Sequence, residues 1–271
     1  VFVSLLIGIA LVQVSSEQRA PVLSFFEGMQ AVVIKLVNMI MLMAPIGVFA
    51  LITKTITSLA VGEGGEANLG QIGAVLGALG YYCIAVVIGL LLHIVIVYLG
   101  LLKLLTPLKL SQFFKAIAPA QLLAFSTSSS GATLPVTMRQ CKEKLGASKE
   151  TTSFVLPLGA TINMDGTALY QAVAAVFIAQ ASGMSLDMGD QLTIVITAVL
   201  ASIGTAAVPG AGIIMLVIIL EAVGIPGEGI ALILGVDRIL DMLRTTTNVT
   251  GDAAVCAIIA HSEKQLHPPS E

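Results

Sequence analysis

The chain has 271 residues, 56% of them hydrophobic and only 11% charged, with a net charge of −3 and a mean hydropathy of +0.99. A soluble domain carries roughly 25% charged residues, so a water-exposed globule is excluded, and the absence of a basic excess excludes a nucleic-acid binder. The apolar content also excludes collagen-like, coiled-coil and disordered chains and leaves an all-α polytopic membrane protein, with room for about seven or eight membrane segments at roughly 20 residues each. The chain opens inside an apolar run, 1–16, with no basic region ahead of it. That does not read as a signal peptide and predicts a start partway through a longer protein. Apolar residues continue across 22–57 around Glu27, Lys35 and Lys54, so 1–57 reads as scaffold-type helices: the end of a spanning helix, then one long helix. A second division, 67–264, begins with a helix over 70–105, where Gly73 and Gly77 form a GxxxG spacing that marks close helix packing.

Lys103, Lys109 and Lys115 precede the uncharged run 116–138, and Arg139, Lys142, Lys144 and Lys149 follow it. Lys and Arg mark cytoplasmic loops, so both ends belong on the same side. A re-entrant hairpin over 111–144 is therefore predicted, with its tip at Ser128-Ser129-Ser130-Gly131 and Pro135 just beyond. The segment 149–184 crosses once as a helix broken at Asn163-Met164-Asp165-Gly166. The run 191–220 has acidic flanks, Asp187, Asp190, Glu221 and Glu228, and holds Gly204, Pro209, Gly210 and Gly212. A continuous helix is strongly disfavoured there, which predicts a second hairpin over 187–223, opening to the outside. A helix over 227–263 returns inside, and 265–271 is a tail. Two hairpins of opposite entry, each followed by a spanning helix, form the inverted repeat of a secondary transporter. Cys83, Cys141 and Cys256 lie far apart without metal-ligand spacing and read as buried thiols.

The last helix carries Asp237, Arg238, Asp241, Arg244, Asn248 and Asp252 in an apolar setting, where each ionisable group costs roughly 2.5–3.5 kcal/mol to insert. Asp237, Asp241, Arg244, Asn248 and Asp252 follow steps of 4, 3, 4 and 4, which places them within roughly an 80° arc of one helix face. A buried salt-bridge ladder accounts for Asp241 and Arg244 at i,i+3 but leaves Asn248 and Asp252 without a task. Arg238 points about 100° away and reads as a boundary or interhelix partner. Asp165, the only charge between Glu150 and Asp187, stands beside a Gly break. That suits a hard cation held by carboxylate and unwound carbonyls, with a plain kink and a satisfied Asp as the alternative. The serines of 128–130 read either as a ligand-facing tip or as a polar turn, and the Asn248-Val249-Thr250 sequon lies at membrane depth. An intramembrane aspartyl protease needs a GxGD setting, but Val249-Thr250-Gly251 precedes Asp252, so no enzyme is expected.

Four stretches, 128–138 (SSSGATLPVTM), 159–170 (GATINMDGTALY), 202–212 (SIGTAAVPGAG) and 237–252 (DRILDMLRTTTNVTGD), are similar to the dicarboxylate/amino acid:cation symporter family, which includes the glutamate transporters. The resemblance covers essentially the whole chain, less distinctively over 1–57. It implies an elevator-type transporter, usually a homotrimer, in the cell membrane (the inner membrane in a bacterium), with 67–264 as the transport domain. Three helices that come first in the family have no counterpart here, so the third of the family's sodium sites is expected to be incomplete. By resemblance, Arg244 grips the substrate side-chain carboxylate and Asp241 accepts its amino group. Thr245, Asn248 and Thr167 complete the pocket, with Ser129 and Ser130 from the first hairpin and Val208 and Gly212 from the second. Asp252 and Asn248, with carbonyls near Gly159 and Asn163, resemble one sodium site. Thr161, Met164, Ser202, Ile203 and Thr205 resemble a second, and Asn163 and Asp165 the surviving part of the third. Two positions that hold a supporting arginine in family members are Ser128 and Met242 here, with Arg238 as a substitute; Gln171 stands where others carry a proton-bearing glutamate.

The expected function is a secondary active symporter coupling sodium influx to uptake of acidic amino acids, aspartate or glutamate, with no organic cofactor and no nucleic-acid partner. Arg244 argues for an acidic side chain and Asp241 for an amine. Proton coupling in place of sodium, C4-dicarboxylate or neutral amino acid transport, and a non-transporting fragment stand as alternatives.

Overall fold

The structure, a computed structural model, describes residues 2–60 and 69–267. Among the described residues every regular element is helical, and extended pairing is confined to one bridge between Ala147 and Leu266. The chain divides into two compact units, Val1–Val48 and Phe49–Glu271. The first holds α1 (Phe2–Gln13) and most of α2 (Ser16–Ala60). Val12, Phe25, Val32 and Leu42 are all exposed along them. Helices that show apolar side chains to their surroundings call for an apolar solvent rather than water.

In the second unit, α3 (Leu69–Leu92), a π-helical turn (His93–Leu99) and α4 (Gly100–Leu105) run on as one rod. Gly73–Leu105 and Lys149–Ala181 are long and apolar enough to cross a membrane. Close packing was expected at Gly73 and Gly77. Among the described residues, a Cβ at either would meet nothing within 4 Å, because that face has no partner helix here.

α5 (Leu110–Thr127) and α6 (Ser130–Glu143) pack on each other across Ser128 and Ser129. Ser128 is left-handed, at φ 51, and Ser129 caps α6 by accepting from the Ala132 amide at 3.1 Å. α7 (Lys149–Ile162) starts on Ser148, whose hydroxyl accepts from the Thr151 amide, with Glu150 against the positive helix end. It stops at Asn163 and Met164, and α8 (Asp165–Ala181) resumes. α9 (Met188–Ile203) opens with a reciprocal capping box between Asp187 and Asp190 and packs on α10 (Ala211–Val223). Between them Gly210 takes φ 75, which only glycine adopts at little cost. α11 (Ile230–Ser262) packs against α5, α7 and α8.

Two large apolar clusters, with a small third at Ala120, Ala124 and Val249, hold this unit together. One gathers Tyr82, Val86, Tyr170, Ile178, Leu216 and Leu220; the other gathers Leu102, Phe113, Ile117, Leu156 and Cys256. Each includes residues of α11. Because that helix is wrapped on several sides, its polar arc is buried, and the interrupted stretches converge on it. The Ser129 hydroxyl and the Gly131 amide both donate to the Ala207 carbonyl, at 2.7 and 3.2 Å. Gly166 N donates to Asn248 Oδ1 at 2.8 Å, and Gly210 N to Asp241 Oδ2 at 2.9 Å.

Candidate functional site

A helix end leaves backbone groups unpaired, and buried unpaired groups must find partners. The breaks at 128–129, 163–164 and 204–210 present such groups to the buried arc of α11. Ser130, Thr167, Val208, Gly212, Asp241, Arg244, Thr245 and Asn248, all expected at a substrate site, line one narrow cleft. Met164 and Thr205, expected at an ion site, line the same cleft, as does Ser128. Ser129 instead caps α6 and holds the Ala207 carbonyl.

Arg244 is the centre of charge. Its side chain is 2% exposed, and it donates from Nε to Asp241 Oδ1 at 3.0 Å and from Nη1 to Asp237 Oδ1 at 2.8 Å. The guanidinium lies 4.0 Å over the Tyr170 ring. Nη2 is buried and has no partner among the described residues. The salt-bridge ladder therefore exists, yet it leaves one donor of a buried cation unsatisfied, and such groups are costly unless something binds them. The Gly212 backbone borders that donor: a Cβ there would lie 3.3 Å from Nη2. Gln171 Nε2 in turn donates to the Gly212 carbonyl at 2.9 Å. Asn248 completes the cleft, its Nδ2 donating to Thr167 Oγ1 at 3.1 Å and approaching Met164 Sδ at 3.3 Å.

Gly159, Asn163 and Asp252 meet at a second place. Asp252 is buried, and its Oδ1 accepts from Asn163 Nδ2 at 3.0 Å. A Cβ on Gly159 would lie 2.7 Å from that oxygen, so the carboxylate rests on the α7 backbone. A buried carboxylate beside the carbonyl end of a helix is a set of hard oxygen donors that suits a hard cation. Among the described residues no three His, Cys, Asp or Glu converge as a metal-binding group, so this set does not resemble a zinc site. The hydroxyls of the remaining expected ligands bond to carbonyls one turn earlier in the chain. Thr161 is exposed and donates to the Leu158 carbonyl at 3.0 Å. Ser202 donates to Val199 O at 2.9 Å, Thr205 to Ala201 O at 3.0 Å, and Ile203 is half-buried.

Asp165 lies at a third place. Its Oδ2 accepts from the Tyr98 hydroxyl at 2.9 Å and lies 3.3 Å from His93 Nε2. Sequence reasoning assigned no role to Asp237, Tyr170, Tyr98 or His93. The available signal for the last two was polarity within an apolar rod. Arg238, expected as a boundary or interhelix partner, donates from Nη2 to the Ser126 carbonyl of α5 at 3.4 Å.

The family described as "Sodium:dicarboxylate symporter family" matches residues 1–262. Among curated relatives, Excitatory amino acid transporter 1 of Homo sapiens is 44% identical over 245 residues, covering 90% of this chain and 43% of that protein. The transporter 1 of Ambystoma tigrinum is 46% identical over the same shares, and Excitatory amino acid transporter 2 of Mus musculus is 43% identical over 92% of this chain and 42% of its own length. The chain thus spans less than half the length of these relatives.

Proposed function

The chain belongs to the sodium:dicarboxylate symporter family, and on that premise we propose that it couples the entry of sodium to the uptake of acidic amino acids, aspartate or glutamate. One observation carries the reading: Arg244, buried and otherwise paired, keeps Nη2 free at a cleft that also holds Asp241, Thr245 and Asn248. A neutral substrate would leave that donor unsatisfied, whereas a side-chain carboxylate would accept from it in a charge-assisted bond. Asp241, which now accepts from Gly210 N, is the acceptor for a substrate ammonium. The names of the relatives, excitatory amino acid transporters, agree with this substrate class.

In this reading the protein is a multi-pass protein of the cell membrane. The pairs α5–α6 and α9–α10 are re-entrant hairpins related by an inverted repeat, and the unit that carries them moves as an elevator within a homotrimer. Asp252 with the Gly159 and Asn163 backbone, and Asp165 with Asn163, take sodium as co-transported substrate. Thr161, Met164, Ser202, Ile203 and Thr205 form a further sodium site once the α9–α10 tip closes.

The test is uptake of radiolabelled aspartate into liposomes holding the protein, with an inward sodium or choline gradient at matched pH. Uptake is expected to collapse without sodium. Arg244→Ala should abolish aspartate uptake while the rise of Tm with sodium remains, and Asp252→Ala should weaken the sodium dependence. Unchanged aspartate affinity in Arg244→Ala would remove the assignment.

A further inference from the structure

The rod α3–α4 is not a uniform helix. Over His93–Leu99 it adopts the wider π form, a distortion that carries a cost and recurs at functional sites. In an α-helix, side chains five residues apart point about 140° away from each other. The i→i+5 closure of a π turn brings them toward one side. Here it aligns His93 and Tyr98, whose rings meet edge to face with centroids 4.7 Å apart. Both reach the same atom, Oδ2 of Asp165. Among the described residues neither reaches Oδ1, and the Asp165 side chain is 41% exposed. The carboxylate is thus held by one oxygen and offers the other.

The second observation is a slot cut for the tyrosine. A Cβ added to Gly251 of α11 would collide with Tyr98 Cζ and its hydroxyl and lie 2.8 Å from Asn163 Nδ2. The ring therefore lies against the backbone beside Asp252, and Asn163 bridges onward to Asp252 Oδ1. Tyr98 is 3% exposed, so the hydroxyl reaches Asp165 from a buried ring.

We infer that His93 and Tyr98 are positioning residues for sodium at Asp165: together they clamp Oδ2, fix the carboxylate plane and leave Oδ1 to the ion. The inference rests on the reading of Asp165 as a sodium ligand and adds the outer partners that orient it. Loss of such partners typically weakens a metal site by about 10–100-fold.

The experiment follows the Tm of the purified protein as sodium chloride replaces choline chloride at constant ionic strength; ligand binding to the folded state raises Tm in a concentration-dependent way. Tyr98→Phe keeps the ring in its slot and removes only the hydroxyl. His93→Leu removes the donor, and His93→Gln restores one. Expected are a rise of about tenfold or more in half-saturating sodium for Tyr98→Phe and for His93→Leu, and recovery to near the parent value in His93→Gln. The sodium-free Tm of Tyr98→Phe should stay close to that of the parent; a large drop there with unchanged half-saturating sodium would mark a packing role only and overturn the inference. Asp165→Asn separates the two layers. If it raises half-saturating sodium while Tyr98→Phe and His93→Leu do not, the ligand reading stands and the positioning role fails. If Asp165→Asn itself changes nothing, the ligand reading fails and the inference with it.

Discussion

Gln171 holds the wall of the cleft with a side chain that does not titrate. It is fully buried, and its Nε2 donates to the Gly212 carbonyl beside the free Nη2 of Arg244. An amide donates at every pH; a carboxyl donates only when protonated. Gln171→Glu should therefore make uptake pH-dependent. As pH rises the carboxylate forms, the bond to Gly212 is lost and two oxygens face each other, so uptake falls; as pH falls the proton returns and uptake recovers. A profile for Gln171→Glu that matches the parent's in liposome uptake would refute the role of this bond. Much of the cleft was legible at this scale, because a helix repeats its faces and the steps from Asp237 to Asp252 could be counted. What could not be counted was reach: Arg244 extends back two turns to Asp237 as well as one to Asp241. Tyr170 and Tyr98 belong to other helices, and which residues they meet depends on packing that no local pattern encodes.

At the scale of elements, the close approach of α8 to α11 is set at Gly166. A Cβ there would lie 2.8 Å from the Arg244 carbonyl oxygen and 2.9 Å from Asn248 Oδ1. A backbone atom of a packed helix cannot yield as a flexible side chain can. Gly166→Ala should cost about 1–3 kcal/mol through overpacking, more than the 0.5–1 kcal/mol or so that alanine returns in helix propensity. It should also lower substrate affinity, since Asn248 must leave the Gly166 amide. Gly77→Ala is the control: a Cβ there meets nothing within 4 Å among the described residues, so thermal unfolding should show no loss. The breaks were legible because Ser and Gly gather at 128–131, Asn, Asp and Gly at 163–166, and Gly and Pro at 204–212. Prolines alone were poorer guides: Pro119, Pro135 and Pro157 all sit inside helices, where one missing backbone bond is tolerated. The π turn had no readable sign, since its residues, HIVIVYL, are those of any apolar helix.

At the scale of the molecule, the two helix pairs are tied down unequally. The base of α5–α6 is clasped by the end of the chain. Ser148 N donates to Gln265 O at 3.1 Å, the Ser148 and Thr151 hydroxyls donate to Gln265 Oε1 at 2.6 and 2.7 Å, and His267 N donates to Gly146 O at 2.8 Å. This clasp, at a segment read from sequence as a mere tail, joins the first pair to the end of α11. The base of α9–α10 has its own Asp187–Asp190 box, in which each carboxylate accepts from the other residue's amide. Its tip meets the rest through a few hydrogen bonds: Gly210 N donates to Asp241, the Ala207 carbonyl accepts from Ser129 and Gly131, and the Gly212 carbonyl accepts from Gln171. The bodies of α9 and α10 stay in the apolar cluster through Ile194, Leu216 and Leu220, so in the proposed cycle only the tip of this pair acts as the gate and parts from the first. A covalent tie tests this directly. A Cβ on Gly131 would lie 3.5 Å from Ala207 Cβ, at the near edge of the range a disulfide spans. With Cys83, Cys141 and Cys256 first replaced by serine or alanine, Gly131→Cys with Ala207→Cys should oxidise readily and abolish uptake. Dithiothreitol should restore it, and either single cysteine should leave uptake unaffected by oxidant. Uptake that persists with the bridge closed would mean that the tips never separate, and neither pair would be the gate.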